Sequence, residues 1–373
     1  MKKSSWKIRA LALTLMAVCW LSGCSAHKEI SVTAAETQEE TRELSLNTET
    51  EAETQPEAEP EGRYEKDGKI QSYLTGEWTD VAKANRRPLA IMMSNDKAAL
   101  PQYGINHAGV VYEAPVEGSM NRYMALIEDY DDLDRIGSVR SCRPYYTFFA
   151  REFEAVYAHY GQNTFALPYL EQMEHLDGIK GNGASAYFRT KDRKTPHNAY
   201  ASGPKLRQAI EASGYADAYP ESYEGHYTFA PESAPVCFED GIAAAKVVPG
   251  YQLSNPWFEY HPEDGYYRYQ YGGPHMGDEG QIAVKNIIFQ YCLWKYYKPT
   301  EYLDIDVHTP ATGYYFTNGH GILIRWEKDG AYGVTKYYDM DGQEIKLNPG
   351  KTWVCILPND RMDKAEFYGE QTE

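Results

Sequence analysis

The chain has 373 residues, of which 42% are hydrophobic and 24% charged, and its formal net charge is −17 at pH 7. This negative balance argues against binding nucleic acid or anionic lipid over a broad surface, although it is compatible with a local basic pocket. Roughly 300 residues of ordinary composition, enough for two domains of typical size, follow a biased N-terminal stretch.

Residues 1–23 have the pattern of a secretory signal. Basic residues precede an apolar core from Ala10 to Leu21, and the segment contains no acidic residue. It ends in Leu21-Ser22-Gly23-Cys24, the pattern of a bacterial lipobox, in which the Cys thiol is acylated and becomes the new N-terminus. We therefore expect a lipoprotein that an acyl chain such as palmitate, attached to Cys24, anchors to the outer face of the cytoplasmic membrane.

Residues 24–63 are predicted to form a disordered acidic tether. The segment after Cys24 is rich in Glu, Thr, Ala and Pro and has almost no large apolar side chains. It cannot bury enough surface to offset the entropy lost on ordering. Such a tether would let the globular part stand off the membrane within the cell wall.

The segment 64–219 alternates apolar runs with helical patterns. Four runs have the composition of interior strands, because Val, Ile and aromatic residues suit a sheet covered on both faces: Pro88–Ser94, Ala108–Tyr112, Tyr123–Ile127 and Val156–His159. Three segments have helical periodicity: Tyr145–Ala155, Thr164–His175 and Pro204–Ser213. This alternation predicts an α/β domain with a mixed sheet.

The segment 220–373 has a different residue pattern. Helical periodicity disappears after Pro220, and short Tyr- and Val-rich runs follow one another. Turn pairs such as Asp264-Gly265, Asn318-Gly319 and Asp341-Gly342 separate these runs, as they do in hairpins. The second half is therefore predicted to be an all-β domain, either a sandwich or a barrel.

The four cysteines beyond the signal are widely spaced: Cys142, Cys237, Cys292 and Cys355. They include no C-x-x-C pair and no nearby His ladder, so no metal site is predicted, and their disulfide state stays open. Two arginines flank Cys142 and would lower the pKa of its thiol. The favoured interpretation is nevertheless a small residue that fills a turn.

Charged residues crowd the ends of the predicted strands between Val111 and Gly161. Within this region the run Gly137–Pro144 (GSVRSCRP) predicts a strand-to-helix turn with Pro at the first helical position. Such a turn directs free backbone N–H groups and the positive end of the helix dipole at one spot. Arg140 and Arg143 would make that spot a binding site for an anion.

Two sets of side chains are candidates for this site. The ligand-binding set shares groups that hydrogen-bond phosphate or carboxylate: Arg122, Arg140, Ser141, Arg143, Arg189 and Asn198. The catalytic candidates share groups that support proton transfer: Glu113, Glu117, His159 and His197. The alternative for the same residues is a structural ion network, in which the carboxylates only neutralise the arginines.

Several blocks of polar and aromatic residues extend over most of the chain, from about residue 87 to residue 359. They are Tyr112-Glu113, Glu117 to Arg122, Ile136 to Arg143, His159 to Gly161, Phe188-Arg189, Pro196 to Asn198, Pro274-His275, Asn286-Ile287 and Asn348 to Trp353. These blocks resemble the signature of the YerB-like lipoproteins of Gram-positive bacteria, which are catalogued as N- and C-terminal domains of unknown function 3048. The resemblance implies a lipoprotein and no particular activity. Cys142 stands where that family has a small Ala, which argues against a catalytic thiol.

Three functions are compatible with these features. The first is the binding of an anionic ligand of the cell envelope, such as a phosphorylated glycan, a lipid-carrier head group or another phosphate- or carboxylate-bearing molecule. The second is a phosphotransferase or phosphodiesterase that acts on an envelope glycan or lipid carrier, and the third is a non-catalytic envelope scaffold. We favour the first. The residues point to no particular cofactor or protein partner, and whether the chain is an enzyme stays open.

Overall fold

One large mixed sheet organises the chain in the computed structural model, which describes residues 63–369. The predicted signal, Cys24 and the tether up to residue 62 lie outside the described residues. None of the helices within residues 63–369 has the length and apolar character needed to cross a membrane.

Helices and strands alternate in the first half of the described chain. Its α-helices are α1 (Val81–Ala84), α2 (Pro144–Glu152), α3 (Leu167–Leu170) and α4 (Gly203–Ala212). Its strands are β1 (Glu65–Lys66), β2 (Lys69–Gln71), β3 (Trp78–Asp80), β4 (Leu89–Ser94), β5 (Val110–Pro115), β6 (Asn121–Ile127), β7 (Ile136–Gly137), β8 (Val156–His159), β9 (His175–Asp177), β10 (Tyr187–Arg189) and β11 (Ala199–Ala201). Single 3₁₀ turns lie at Lys97–Ala99, Ile105–His107, Glu117–Ser119, Thr164–Ala166 and Asn182–Ala186.

The second half, as far as residue 369, consists of strands and one 3₁₀ segment, Asn359–Lys364. The strands are β12 (Ile242–Ala243), β13 (Lys246–Val248), β14 (Trp257–His261), β15 (Gly265–Gln270), β16 (Gly273–Pro274), β17 (Met276–Gly277), β18 (Gly280–Gln281), β19 (Ala283–Val284), β20 (Asn286–Tyr296), β21 (Leu303–Asp306), β22 (Ala311–Thr317), β23 (His320–Lys328), β24 (Thr335–Tyr338), β25 (Thr352–Pro358) and β26 (Glu366–Tyr368). The prediction of a β-rich second half is therefore confirmed.

The large sheet has the strand order β12-β23-β22-β20-β25-β5-β6-β4-β8-β9, with β21 paired to β20 and β24 paired to β23. Strands β20, β25 and β5 are parallel, as are β4, β8 and β9, and β6 runs antiparallel between β5 and β4. All six parallel strands thus point the same way and finish at one end of the sheet, which we call its carboxyl end. The sheet contains strands from both sides of residue 220, where the residue pattern of the sequence changes.

Both faces of the central strands are buried, which explains their near-continuous apolar sequence. One face, which includes Met92 and Met124, packs against Phe149 of α2, and we call it the α2 face. The opposite face, which includes Ile91 and Ala125, packs against α4 and is called the α4 face. A second sheet of order β16-β15-β14-β13-β26, with β19 paired to β15, adds its own apolar side chains to the core on the α4 face.

Two of the three predicted helices are present nearly as expected. Tyr145–Ala155 corresponds to α2 and Pro204–Ser213 to α4, and each helix has a Pro in its first turn. For the third helix, predicted at Thr164–His175, the predicted length is wrong: the structure has a 3₁₀ turn followed by the short helix α3. Pro168 restricts α3 to a start at Leu167, because Pro is tolerated only in the first turn, and the chain from His175 pairs with β8 as strand β9.

Candidate functional site

The loop before α2 lies across the carboxyl end of the large sheet. The backbone N–H of Arg140 donates to the carbonyl of Met92 in β4 at 3.0 Å, and its carbonyl accepts from the N–H of Tyr160 after β8 at 3.0 Å. The N–H of Cys142 donates to the carbonyl of Gly161 at 2.9 Å. The loop is therefore held between the ends of two parallel strands, and α2 begins at Pro144 as the sequence predicts.

Arg143, the residue that precedes α2, is bound to Glu117. Its Nε lies 2.7 Å from Oε1 of Glu117, its Nη2 lies 2.6 Å from Oε2, and its Nη1 donates to the carbonyl of Cys142 at 2.8 Å. This two-pronged geometry is the strong form of an Arg–carboxylate pair. Because all three nitrogens of the guanidinium have partners, Arg143 is suited to positioning its neighbours rather than to holding a ligand.

Arg122, at the start of β6, has no carboxylate of its own. Its Nη1 donates to the carbonyl of Ser141 at 2.8 Å, and it forms no ion pair with any described residue. The residue is only 8% exposed. Burial, together with the charges of Arg143 and Arg140, lowers the pKa of Arg122 to about 10. This guanidinium therefore lies in a positive and poorly solvated environment.

Arg140 and Arg189 extend the positive group. Arg140 donates to the carbonyl of Pro196 at 3.1 Å, and Arg189 donates to Oδ1 of Asn198 at 2.7 Å. Burial lowers the pKa of Arg140, and so do the charges of Arg143 and Arg189. Within residues 63–369 neither Arg140 nor Arg189 forms an ion pair. We call the four guanidiniums the arginine cluster: Arg122, Arg140, Arg143 and Arg189.

His197 and Asn198 lie beside this cluster. Nε2 of His197 is 3.8 Å from Oδ1 of Asp96, and its Nδ1 is buried without a hydrogen-bond partner. Burial lowers the pKa of His197; Asp96 opposes that shift, while the charge of Arg140 adds to it. Asn198 is held by a hydrogen bond from its Nδ2 to the carbonyl of Thr190 at 2.9 Å. The remaining candidate, Ser141, contributes its carbonyl to the cluster.

Glu113 belongs to a different network, in the core. Its carboxylate accepts from Nη2 of Arg268 at 2.9 Å, from Nε1 of Trp353 at 2.9 Å and from Nδ2 of Asn121 at 2.8 Å. Both partners of the ion pair have no exposed side-chain surface. Nη1 of the same Arg268 lies 2.5 Å from Nδ1 of His275, whose pKa burial lowers. Glu113 thus has a structural role in the packing of the two sheets.

The register of β5 and β6 shows why Glu113 and Arg122 do not meet. Glu113 lies opposite Tyr123, and Ala114 lies opposite Arg122. Because successive side chains of a strand point to opposite faces, Glu113 is on the α4 face and Arg122 is on the α2 face. Two candidates for the same site, Glu113 and Arg122, therefore lie on opposite faces of the large sheet.

His159 is a hydrogen-bonded core residue. Its Nδ1 lies 2.8 Å from the carbonyl of Gly161, and its Nε2 lies 2.9 Å from Nδ1 of His175. Burial lowers the pKa of His159 to about 4, so the ring is neutral at pH 7. Neither nitrogen is available to a ligand.

Cys142 is buried, and burial raises the pKa of its thiol to about 12 despite the charges of Arg143 and Arg122. The expectation that flanking arginines lower this pKa is wrong, because desolvation of the thiolate outweighs their attraction. All four cysteines in the described part of the chain are free. Across residues 63–369 no three His, Cys, Asp or Glu side chains converge in the way that a metal site requires.

Both halves of the chain match known proteins. Models of the N-terminal and C-terminal domains of the protein of unknown function DUF3048 match residues 74–216 and 247–354. The chain is 26% identical over 306 residues to "Putative lipoprotein YerB" of Bacillus subtilis (strain 168), covering 78% of this chain and 87% of that protein. A crystal structure of the YerB protein from Bacillus subtilis is similar with a TM-score of 0.69 and 25% identity, covering 80% of this chain and 99% of that one. The resemblance drawn from the sequence blocks is confirmed.

Proposed function

The chain belongs to the DUF3048 protein family, and from this premise we propose that it is a lipid-anchored protein that binds an anionic ligand of the cell envelope at the arginine cluster. The anchor would be Cys24, on the outer face of the cytoplasmic membrane. The lipobox and the name of the Bacillus subtilis relative support this location. The folded part begins no later than Arg63, which donates to the carbonyls of Gln71 at 2.6 Å and Ala84 at 3.0 Å.

The shortage of negative charge at the arginine cluster is the observation that carries the proposal. Among the described residues the four guanidiniums form an ion pair with one carboxylate, that of Glu117, which Arg143 already binds on both oxygens. The charge of Asp96 attracts Arg140 without forming an ion pair with it. Keeping Arg122 charged and nearly buried with a single backbone carbonyl is costly, because such a group needs a counter-charge or several hydrogen bonds. A phosphate or carboxylate between Arg122 and Arg140 would supply both.

Binding is better supported than catalysis by the groups around the cluster. Of the four catalytic candidates, Glu113 is committed to Arg268, Glu117 is bound to Arg143, and both nitrogens of His159 have partners. Only His197 keeps a buried nitrogen without a partner. A phosphotransferase or phosphodiesterase would have to rely on this single imidazole for proton transfer.

Titration calorimetry of the full chain in detergent tests the proposal, with inorganic pyrophosphate and a short-chain polyprenyl phosphate as probes. We expect binding that weakens with added salt and that is lost or strongly reduced in Arg140→Ala. Arg325→Ala is the matched control, since Arg325 is an exposed arginine of β23 outside the cluster. Failure of both probes to bind, or equal weakening by the two substitutions, would contradict the proposal.

A further inference from the structure

A cavity of about 370 Å³ lies beside the arginine cluster, beyond the ends of β5, β20 and β25. Its volume is in the range of small-molecule sites. Glu117 lines it, and Glu117 is also the residue that binds Arg143. The cavity and the cluster are therefore neighbours at the carboxyl end of the large sheet, the end at which open α/β sheets commonly bind ligands.

Two aromatic side chains of β20, Trp294 and Tyr296, line one side of this cavity. They are two residues apart on one strand and so project to the same face. Their ring centroids are 5.1 Å apart and their planes are inclined at 86°. Nε1 of Trp294 donates to Oδ1 of Asp360 at 2.9 Å, which holds the indole in place, and Tyr296 is 40% exposed. The cavity thus presents an aromatic surface formed by the held indole of Trp294 and the partly exposed ring of Tyr296. Nζ of Lys298 lies 5.1 Å from the centroid of the Tyr296 ring.

Carboxylates and amides make up most of the remaining polar lining. Three carboxylates reach the cavity, together with the amides of two further side chains: Glu117, Glu301, Asp360, Asn121 and Gln252. Arg361 is the basic residue of the lining, and its Nε and Nη2 both donate to the carbonyl of Gly250, at 3.1 and 2.8 Å. The carboxylates therefore outnumber the basic groups, in contrast to the arginine cluster.

We propose that this cavity binds a neutral saccharide. The apolar face of one sugar ring would lie on the aromatic surface, and its hydroxyl groups would donate to Glu117, Asp360 and the neighbouring amides. A hydrocarbon would displace water from the three carboxylates without replacing the hydrogen bonds of that water, and an anion would be repelled by their charge. An ammonium group is best enclosed by several ring faces, whereas Trp294 and Tyr296 meet edge to face. This site is separate from the anion site and does not depend on it.

The test uses the full chain in detergent and two neutral probes, oligomers of β-1,4-linked N-acetylglucosamine and of α-1,4-linked glucose. Saturation-transfer NMR and titration calorimetry should detect binding of at least one of them. Tyr296→Ala removes an exposed ring and should weaken this binding by roughly fivefold or more, and Trp294→Phe should weaken it less than Trp294→Ala does. Arg140→Ala should leave saccharide binding unchanged, which separates this site from the arginine cluster.

Trp257→Ala is the control for the loss of a surface aromatic ring. Trp257 stacks on Tyr269 in the second sheet, with centroids 5.0 Å apart, and does not line the cavity. We expect this variant to bind saccharide as the wild type does. The proposal is overturned if folded wild-type protein binds neither probe at millimolar concentration, or if Trp257→Ala weakens binding as much as Tyr296→Ala. It is also overturned if only a cationic probe such as choline binds in a manner sensitive to Tyr296→Ala.

Discussion

Arg143 and Glu117 form a two-pronged ion pair at the start of α2, with N–O distances of 2.7 and 2.6 Å. Arg140, three residues earlier, has no ion pair among the described residues. Two arginines that look equivalent in the sequence therefore differ in their partners. This difference gives them separate experimental signatures.

Arg143→Ala should destabilise the fold, and Arg140→Ala should mainly weaken anion binding. Loss of Arg143 leaves Glu117 half-buried without its partner, which should cost about 1–3 kcal/mol in the free energy of unfolding. Loss of Arg140 removes a charge-assisted bond to the ligand, so the affinity for pyrophosphate should fall roughly tenfold to a hundredfold. Urea unfolding and calorimetry on both variants measure the two effects. A large loss of stability in Arg140→Ala, with no anion bound by the wild type, would instead indicate a structural ion network.

Arg268→Met should be among the most destabilising single substitutions in the core. It leaves the carboxylate of Glu113 fully buried with no counter-charge, at a cost of about 3–5 kcal/mol. The double variant Glu113→Gln/Arg268→Met should recover part of this loss, because no buried charge remains. Unfolding by urea measures both. A double variant that is less stable than Arg268→Met would show that the pair contributes more than mutual neutralisation.

Glu128 should make stability depend on pH. Burial raises the pKa of Glu128 to about 7, although Ser72 donates to its Oε2 at 2.7 Å. The folded chain holds this proton more tightly than the unfolded chain does, so protonation of Glu128 stabilises the fold. The Glu pKa of the unfolded chain is about 4.3. The contribution to the free energy of unfolding is therefore fully present below a pH of about 4.3 and is lost as the pH rises through about 7. Glu128→Gln should therefore be more stable than the wild type at pH 8, by about 1–3 kcal/mol, with a smaller difference at pH 4.

Urea unfolding of wild type and Glu128→Gln at the two pH values checks this expectation. Glu171→Gln is the matched control, because Glu171 is exposed, and its effect should be small at both pH values. A Glu128→Gln variant that is less stable than the wild type at pH 8 would show that the folded protein stabilises the carboxylate instead of its protonated form.

Cys24→Ala should abolish the proposed lipid anchor. The variant lacks the thiol that we propose to be acylated, so the protein should be released into the medium or remain as an uncleaved precursor. Fractionation and immunoblotting of cells that express each form measure this. A processed Cys24→Ala protein that stays entirely in the membrane fraction would contradict the proposed anchor.

Local sequence signals were sufficient to predict the strand and the helix that position the arginine cluster. The buried strand β8 and the start of α2 follow from apolar composition and from Pro144, because both depend on residues that are adjacent in the chain. The same applies to the loop that carries Arg140. The mixed sheet of the first half was predicted on these grounds and is confirmed.

The partners of the charged residues could not be predicted, because they come from distant parts of the chain. Glu113 is bound by Arg268, which is 155 residues away. One signal was available in β15, where Tyr266, Arg268 and Gln270 alternate with the more exposed Tyr267 and Tyr269. Where buried and exposed side chains alternate along a strand, an arginine at a buried position has a buried guanidinium. Such a group needs a buried acidic partner elsewhere in the chain.

The pairing of β5 with β25 has a consequence for the synthesis of the chain. Strand β5 is complete at Pro115, but its parallel partner begins only at Thr352. During synthesis, which begins at the N-terminus, the edge of β5 that pairs with β25 therefore stays open until nearly the whole chain has been made. If the chain is exported as we propose, the sheet cannot close until residue 352 and the strand that follows have passed the secretion channel. A product cut short before residue 352 would keep that edge unpaired and would be prone to aggregation.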